Sequence, residues 1–245
     1  MATFVLVHPA WFGGWCWRKV ATPLRAAGHA VHTPTLTGLG ERAHLAEPGV
    51  GLGTHVNDVV NLITYEDLGG VILVGSSSGG TVVAAAADRV PERIDQVVFL
   101  DAFVPADGQS TLDLLAPDRR AGIESLVEQE GDGWLVPRIA PPPWERFLPD
   151  AWRVTDQADL DWVLPRLCPT PLAHFTEPAH LPLQDGERPR RWYVRCADYP
   201  NLGFDRFAAT ARSDPAWGYH ELAASHLPYI TSPADLTGLL LDLAR

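Results

Sequence analysis

The sequence predicts an α/β protein: a mostly parallel central sheet of about six strands flanked by helices, with a cap inserted over the C-terminal edge of the sheet. Three observations lead there. Short apolar runs alternate with segments of helical spacing from residue 3 to residue 103, and the alternation resumes at the C-terminal end. A chain of 245 residues with 46% hydrophobic and 20% charged residues can bury one sizeable core, which favours a single domain over 1–245. Finally, GSSSGG at 75–80 lies between an apolar run and an alanine-rich stretch, where a tight strand-to-helix turn is required and a flexible linker would disrupt packing.

Taken in order, TFVLVH at 3–8 reads as a strand buried on both faces and ends in a turn containing Gly13 and Gly14. WCWRKVATPLRAAGH follows as a helix, with Gly28 as its stop signal. AVHTPTL at 30–36 suggests a second strand, and 37–52 is rich in Gly and Thr. Val56, Val59, Val60 and Ile63 fall on one helical face within 54–68. GGVILVG at 69–75 is a buried strand, the stretch at 81–94 begins helical and is broken by Pro91, and QVVFLDAF at 96–103 is strand again. Near the end, GYHEL at 218–222 forms a last short strand, and an amphipathic helix runs from Pro233 to Leu243. Between the halves of this core (1–103 and 188–245), residues 104–187 form an insertion with Trp134, Trp152, Trp162, PPPWERF and CPTPLAHFTEP, which reads as a cap that excludes water and shapes a pocket.

Composition removes several function classes. A net charge of −11 without a basic stripe argues against a nucleic-acid partner, and no apolar run approaches the roughly 18 residues of a membrane span. The start, MATFVLVHPAW, has no basic segment and reaches His8 and Pro9 too soon for a secretory signal. With Cys16, Cys168 and Cys196 at no metal-like spacing, this favours a reduced, cytoplasmic setting. Lys19 is the sole lysine, which excludes most lysine-based mechanisms. No H-x-x-x-H, C-x-x-C or clustered-carboxylate pattern supports a metal, and GSSSGG lacks the G-x-G-x-x-G spacing of a dinucleotide site, so no metal or cofactor is expected. The expected partner is a small-molecule substrate, and the expected state is a monomer or homodimer.

The chemistry is carried by Gly75-Ser76-Ser77-Ser78-Gly79. With a strand before it and a helix after it, this G-x-S-x-G is a nucleophile elbow, in which Ser77 is held with its hydroxyl exposed above the sheet. The backbone N–H of Ser78 then supplies half of an oxyanion hole. A phosphate cradle would need a lysine at the end of the loop, where Thr81 stands. A serine hydroxyl needs a base, and in this chain order a histidine comes last. His226, in the loop between the last strand and the closing helix, meets that requirement.

FVLVHPAWFGGWCWRKV at 4–20, TLTGLGERAHL at 35–45, VFLDAFVPADGQS at 98–110 and SHLPYITSPADL at 225–236 resemble the α/β-hydrolase superfamily, in particular the group of plant methyl esterases, hydroxynitrile lyases and related bacterial esterases. The resemblance implies Ser77 as nucleophile, His226 as base, and the N–H groups of Ala10 and Ser78 as oxyanion donors. Pro9 departs from the commoner His-Gly and removes one donor from that loop. RRWYVRCADYPNLGF at 190–204 resembles the family's acid-bearing strand and turn, but an ungapped alignment puts Tyr199 at the acid's position and Asp198 one residue early. Asp198 is the expected acid, and Asp101, at the end of the neighbouring strand, is held in reserve. Trp11, Phe12 and His174 are expected to line an apolar substrate pocket. These residues imply a serine carboxylesterase acting on a small hydrophobic or aromatic ester. The alternatives are a non-hydrolytic lyase, decarboxylase or cyclase, and a binding protein on the same scaffold. Leu227, where the family's hydroxynitrile lyases carry lysine, lowers the cyanogenic option, and serine at 77 argues against the aspartate-based epoxide hydrolases and dehalogenases of this fold.

Overall fold

A computed structural model describes residues 1–139, 147–184, 187–199 and 202–245. Most of PPPWERF, and Pro200 and Asn201 of the predicted acid turn, fall outside the described residues. The main sheet comprises β1 (Thr3–Val7), β2 (Ala30–His32), β3 (Val71–Ser76) and β4 (Ile94–Leu100), then, after a small two-stranded ribbon of β5 (Leu135–Val136) and β6 (Thr170–Pro171), β7 (Arg190–Cys196) and β8 (Trp217–Leu222). Its six strands lie in the order β2-β1-β3-β4-β7-β8, and every pairing is parallel. The helices are α1 (Arg18–Ala26), α2 (Leu52–Tyr65), α3 (Gly79–Arg89), α4 (Pro117–Glu130), α5 (Phe147–Asp150), α6 (Gln157–Val163), α7 (Ala173–Thr176), α8 (Leu202–Ser213), α9 (Pro228–Thr231) and α10 (Pro233–Leu243).

Strand periodicity divides the core into two layers. Phe4 and Leu6 of β1, with Ile72 and Val74 of β3, pack with Val20 and Leu24 of α1 and Leu236 and Leu240 of α10. The alternate residues Val5, Val7, Val71 and Leu73 face the other way, against Val56, Val59 and Ile63 of α2, Val82 and Val83 of α3, and Ala208 of α8. Because both faces of these strands are covered, the runs are apolar throughout, and each such side chain taken from water contributes about 1.5–3 kcal/mol.

Two boundaries differ from the sequence expectation. The second strand stops at His32 and not at 36, because Pro34 has no N–H to donate to a ladder. The first helix begins only at Arg18, preceded by a 3₁₀ turn over Gly14–Trp17. Between β4 and β7, helix α4 and the ribbon pack a small separate cluster of Leu112, Val127, Val136 and Phe175 against Ala10.

Parallel strands end on one edge, so the loops after β1, β3, β4, β7 and β8 gather there. Those loops carry Ala10, Ser77, Asp101, Tyr199 and His226 respectively. Among the described residues no helix is long and apolar enough to cross a membrane.

Candidate active site

Ser77 occupies the left-handed region at φ 52°, a conformation that costs a residue with a side chain on the order of 1–3 kcal/mol and persists only where the surroundings enforce it. They do so here through hydrogen bonds on both sides of the turn. Ser77 N–H donates to Leu100 O at 3.3 Å, and Ser77 O accepts from Phe103 N–H at 3.0 Å and from Gly80 N–H at 3.1 Å. The elbow is thereby fixed to the end of β4. The flanking glycines are required by close approach: a Cβ on Gly75 would stand 2.6 Å from Gly79 O, and one on Gly80 would stand 2.3 Å from Phe103 O. Gly80→Ala is therefore expected to lower unfolding free energy by about 1–3 kcal/mol, measured by urea denaturation, because backbone must move to admit the methyl group.

His226 is 1% exposed and its Nδ1 lies 2.7 Å from Asp101 Oδ2. A carboxylate only accepts, so Nδ1 carries the proton and Nε2 is left as the basic nitrogen. The ring stands among aromatic side chains: Tyr199 with centroids 4.4 Å apart, Trp152 at 5.1 Å and Phe204 stacked at 5.4 Å.

The structure brings Asp101, and not the expected Asp198, to the His226 ring. Asp198 is exposed, at the outer corner of a turn closed by a 3.2 Å bond from Tyr199 N–H to Cys196 O, while Tyr199 turns inward onto His226. The space beside Nδ1 is filled from the next strand by Asp101, which is wholly buried and takes φ 42°. Its other oxygen, Oδ1, accepts from Arg195 Nη1 at 2.8 Å and from Cys196 N–H at 3.3 Å. Arg195 also donates to Asp205 Oδ1 at 2.9 Å and to the carbonyls of Cys196 and Tyr199. Burial pulls the guanidinium pKa down, but Asp101 and Asp205 more than offset this and hold it above the ordinary arginine value. Sequence reasoning missed Arg195 altogether. Arg195→Met should cost about 3–5 kcal/mol of stability in urea denaturation, because it leaves a buried carboxylate without its cation, and Arg195→Lys should cost less.

Ser77 and His226 open onto a cavity of about 730 Å³. Its walls are largely apolar: Trp11, Leu114, Ile123, Val136, Trp152 and Phe175 are among them, with Asp118 and Arg119 as the charged members. Trp11 lines the cavity, its indole N–H bonded to Pro137 O at 2.9 Å. Phe12 does not. It is wholly buried, stacked on Trp15 and Trp152, because φ 67° at Trp11 turns the following side chain into the core. His174 is also absent from the wall, being wholly buried with Nε2 3.0 Å from Ser78 Oγ. Ala10 is beside the elbow, and its N–H donates to Ser78 Oγ at 2.9 Å. The N–H of Ser78 belongs to the first turn of α3, where amides have no intrahelical acceptor.

The chain is 56% identical over 115 residues to a carbendazim hydrolyzing esterase of Nocardioides sp., an alignment covering 47% of this chain and 48% of that protein. It thus spans about half the length of that relative. Over 253 residues it is 27% identical to the putative methylesterase 14 of Arabidopsis thaliana, covering 99% of this chain and 72% of the other. Among solved structures, an extracellular alpha/beta-hydrolase from a Paenibacillus species, described as sharing structural and functional homology with tobacco salicylic acid binding protein 2, superposes with a TM-score of 0.84 at 26% identity, covering 99% of this chain and 98% of that one. The sequence pattern of the alpha/beta hydrolase family matches residues 4–238, and the chain belongs to that family.

Proposed function

We propose that the protein is a serine carboxylesterase that cleaves small hydrophobic or aromatic esters through an acyl-enzyme. The observation that carries the reading is the convergence on one cavity of a strained elbow serine, Ser77, and a histidine, His226, whose Nδ1 is paired with a buried carboxylate. In this reading Ser77 Oγ attacks the ester carbonyl while His226 Nε2 takes its proton. Asp101 keeps the imidazole in the right tautomer and stabilises the imidazolium, in the role first expected of Asp198. The N–H groups of Ser78 and Ala10 hold the tetrahedral oxyanion. His226 then returns the proton to the leaving alkoxide, the alcohol departs, and water repeats the sequence on the acyl-enzyme.

The apolar walls favour a hydrophobic acyl or alkyl group, and the named activity of the Nocardioides relative adds carbendazim as a specific probe. The segment 104–187 serves as the cap, since α4 and residues 136–139 supply much of the cavity wall. The free state of Cys16, Cys168 and Cys196 supports a reduced, cytoplasmic setting. The lyase, decarboxylase or cyclase alternative is not favoured, because His226 has a buried carboxylate partner in Asp101, as ester hydrolysis requires. The test is turnover of p-nitrophenyl acetate, butyrate and octanoate and of carbendazim. Release of p-nitrophenol with a preference among chain lengths supports the reading. Failure to cleave any of the four overturns it in favour of proton-transfer chemistry.

A further inference from the structure

Behind Ser78 lies a chain of buried hydrogen bonds that the reaction above does not use. Ser78 Oγ is 3.0 Å from His174 Nε2, His174 Nδ1 is 2.9 Å from His55 Nδ1, and His55 Nε2 is 2.8 Å from Thr37 O. Ser78 is 2% exposed, and both histidines are wholly buried. The chain joins four separate segments: the elbow, α7 of the insertion, α2, and the loop after β2.

The direction of every bond follows from its far end. A carbonyl only accepts, so His55 Nε2 must carry a proton. Burial lowers the pKa of both imidazoles, His174 well below the ordinary histidine value, so each ring is neutral and has a single proton. His55 Nδ1 is then an acceptor, His174 Nδ1 donates to it, and His174 Nε2 is left to accept. The Ser78 hydroxyl therefore donates into His174, which turns an oxygen lone pair toward the Ala10 N–H that donates to it at 2.9 Å.

This series has the order of a second Ser–His relay, but it lacks what makes one work. A base that takes a serine proton becomes an imidazolium, and beside His174 stands a neutral histidine where His226 has the Asp101 carboxylate. The chain orients Ser78 and does not activate it.

We propose that His174, acting through Ser78 Oγ, is a positioning residue for the oxyanion pocket, the pair anchoring the Ala10 amide beside the elbow so that its N–H, bonded to Ser78 Oγ in the free enzyme, is shared with the oxyanion when one forms beside the Ser78 N–H. The inference rests on the esterase reading. Its test is kcat and KM for p-nitrophenyl butyrate in wild type, Ser78→Ala, His174→Ala, His174→Gln and the Ser78→Ala/His174→Ala double variant, with folded enzyme counted by fluorophosphonate titration. Complete loss of an oxyanion donor costs about 10²–10³ in kcat, so loss of its positioning should lower kcat about tenfold or more in each alanine variant, with KM changed by less than about twofold. The double variant should be no worse than the poorer single one, because both break the same chain. His174→Gln, whose amide reaches the Nε2 position, should recover most of kcat. An unchanged or raised kcat in Ser78→Ala, multiplying losses in the double variant, or a Gln variant no better than Ala overturns the inference while leaving the esterase standing. If His174→Ala does not fold, Ser78→Ala, which removes one oxygen, decides alone. A wild type that cleaves no ester overturns the esterase reading, and this inference with it.

Discussion

Asp101→Asn should lower kcat for ester hydrolysis about 10⁴-fold, whereas Asp198→Asn should leave it within about twofold, as expected of an exposed side chain remote from the chemistry. The contrast follows from position. Asp101 Oδ2 lies 2.7 Å from His226 Nδ1 with both side chains buried. An amide there can present its NH₂ to Nδ1, which moves the ring proton to Nε2 and leaves no lone pair to accept the serine proton. It also removes the negative charge that stabilises the imidazolium. The amide further leaves Arg195 without one of its carboxylates, so stability should fall as well, and kcat must be referred to folded enzyme. A large loss in Asp198→Asn with Asp101→Asn unaffected would return the acid role to the turn after β7.

Ser77→Ala should remove on the order of 10⁶ in kcat, close to all the covalent catalysis available, while substrate still binds in the unchanged cavity. Relief of the left-handed conformation does not compensate, because alanine at φ 52° meets the same steric conflict as serine. Melting temperature and substrate-analogue binding should therefore change little. A variant that retained more than a small fraction of wild-type turnover would place the nucleophile elsewhere, with the neighbouring Ser78 the first to examine.

The candidate nucleophile and base, Ser77 and His226, were legible in the sequence because their signals are local. Ser77 is marked by its G-x-S-x-G spacing and by an apolar strand immediately before it. His226 is marked by its place between a last strand and a closing helix. Which of Asp198 and the reserve Asp101 stands beside His226 was not legible, because it depends on which of two adjacent loops turns a carboxylate inward. That is settled by φ 42° at Asp101 and by the Tyr199 ring filling the alternative space, and neither is written in residue spacing. One signal was available: the ungapped alignment already placed Tyr199, and not Asp198, at the inward position. Arg195 was hidden among the arginines of RRWYVRC, although Val194, Arg195 and Cys196 form an unbroken buried run. An arginine in such a run requires an anion, and an acid at the end of the adjacent strand can supply it. Phe12 was placed with Trp11 because the two are neighbours beside the oxyanion loop, and sequence adjacency does not fix the direction of a side chain after a left-handed residue such as Trp11.

The nucleophilic role of Ser77 is tested by peptide mapping by mass spectrometry after reaction with a fluorophosphonate, run in parallel with p-nitrophenyl butyrate turnover. One adduct per chain, on Ser77, with activity falling in proportion to labelling and no adduct in Ser77→Ala, is the predicted result. An adduct on Ser78, or ester turnover that continues with Ser77 unmodified, would contradict it.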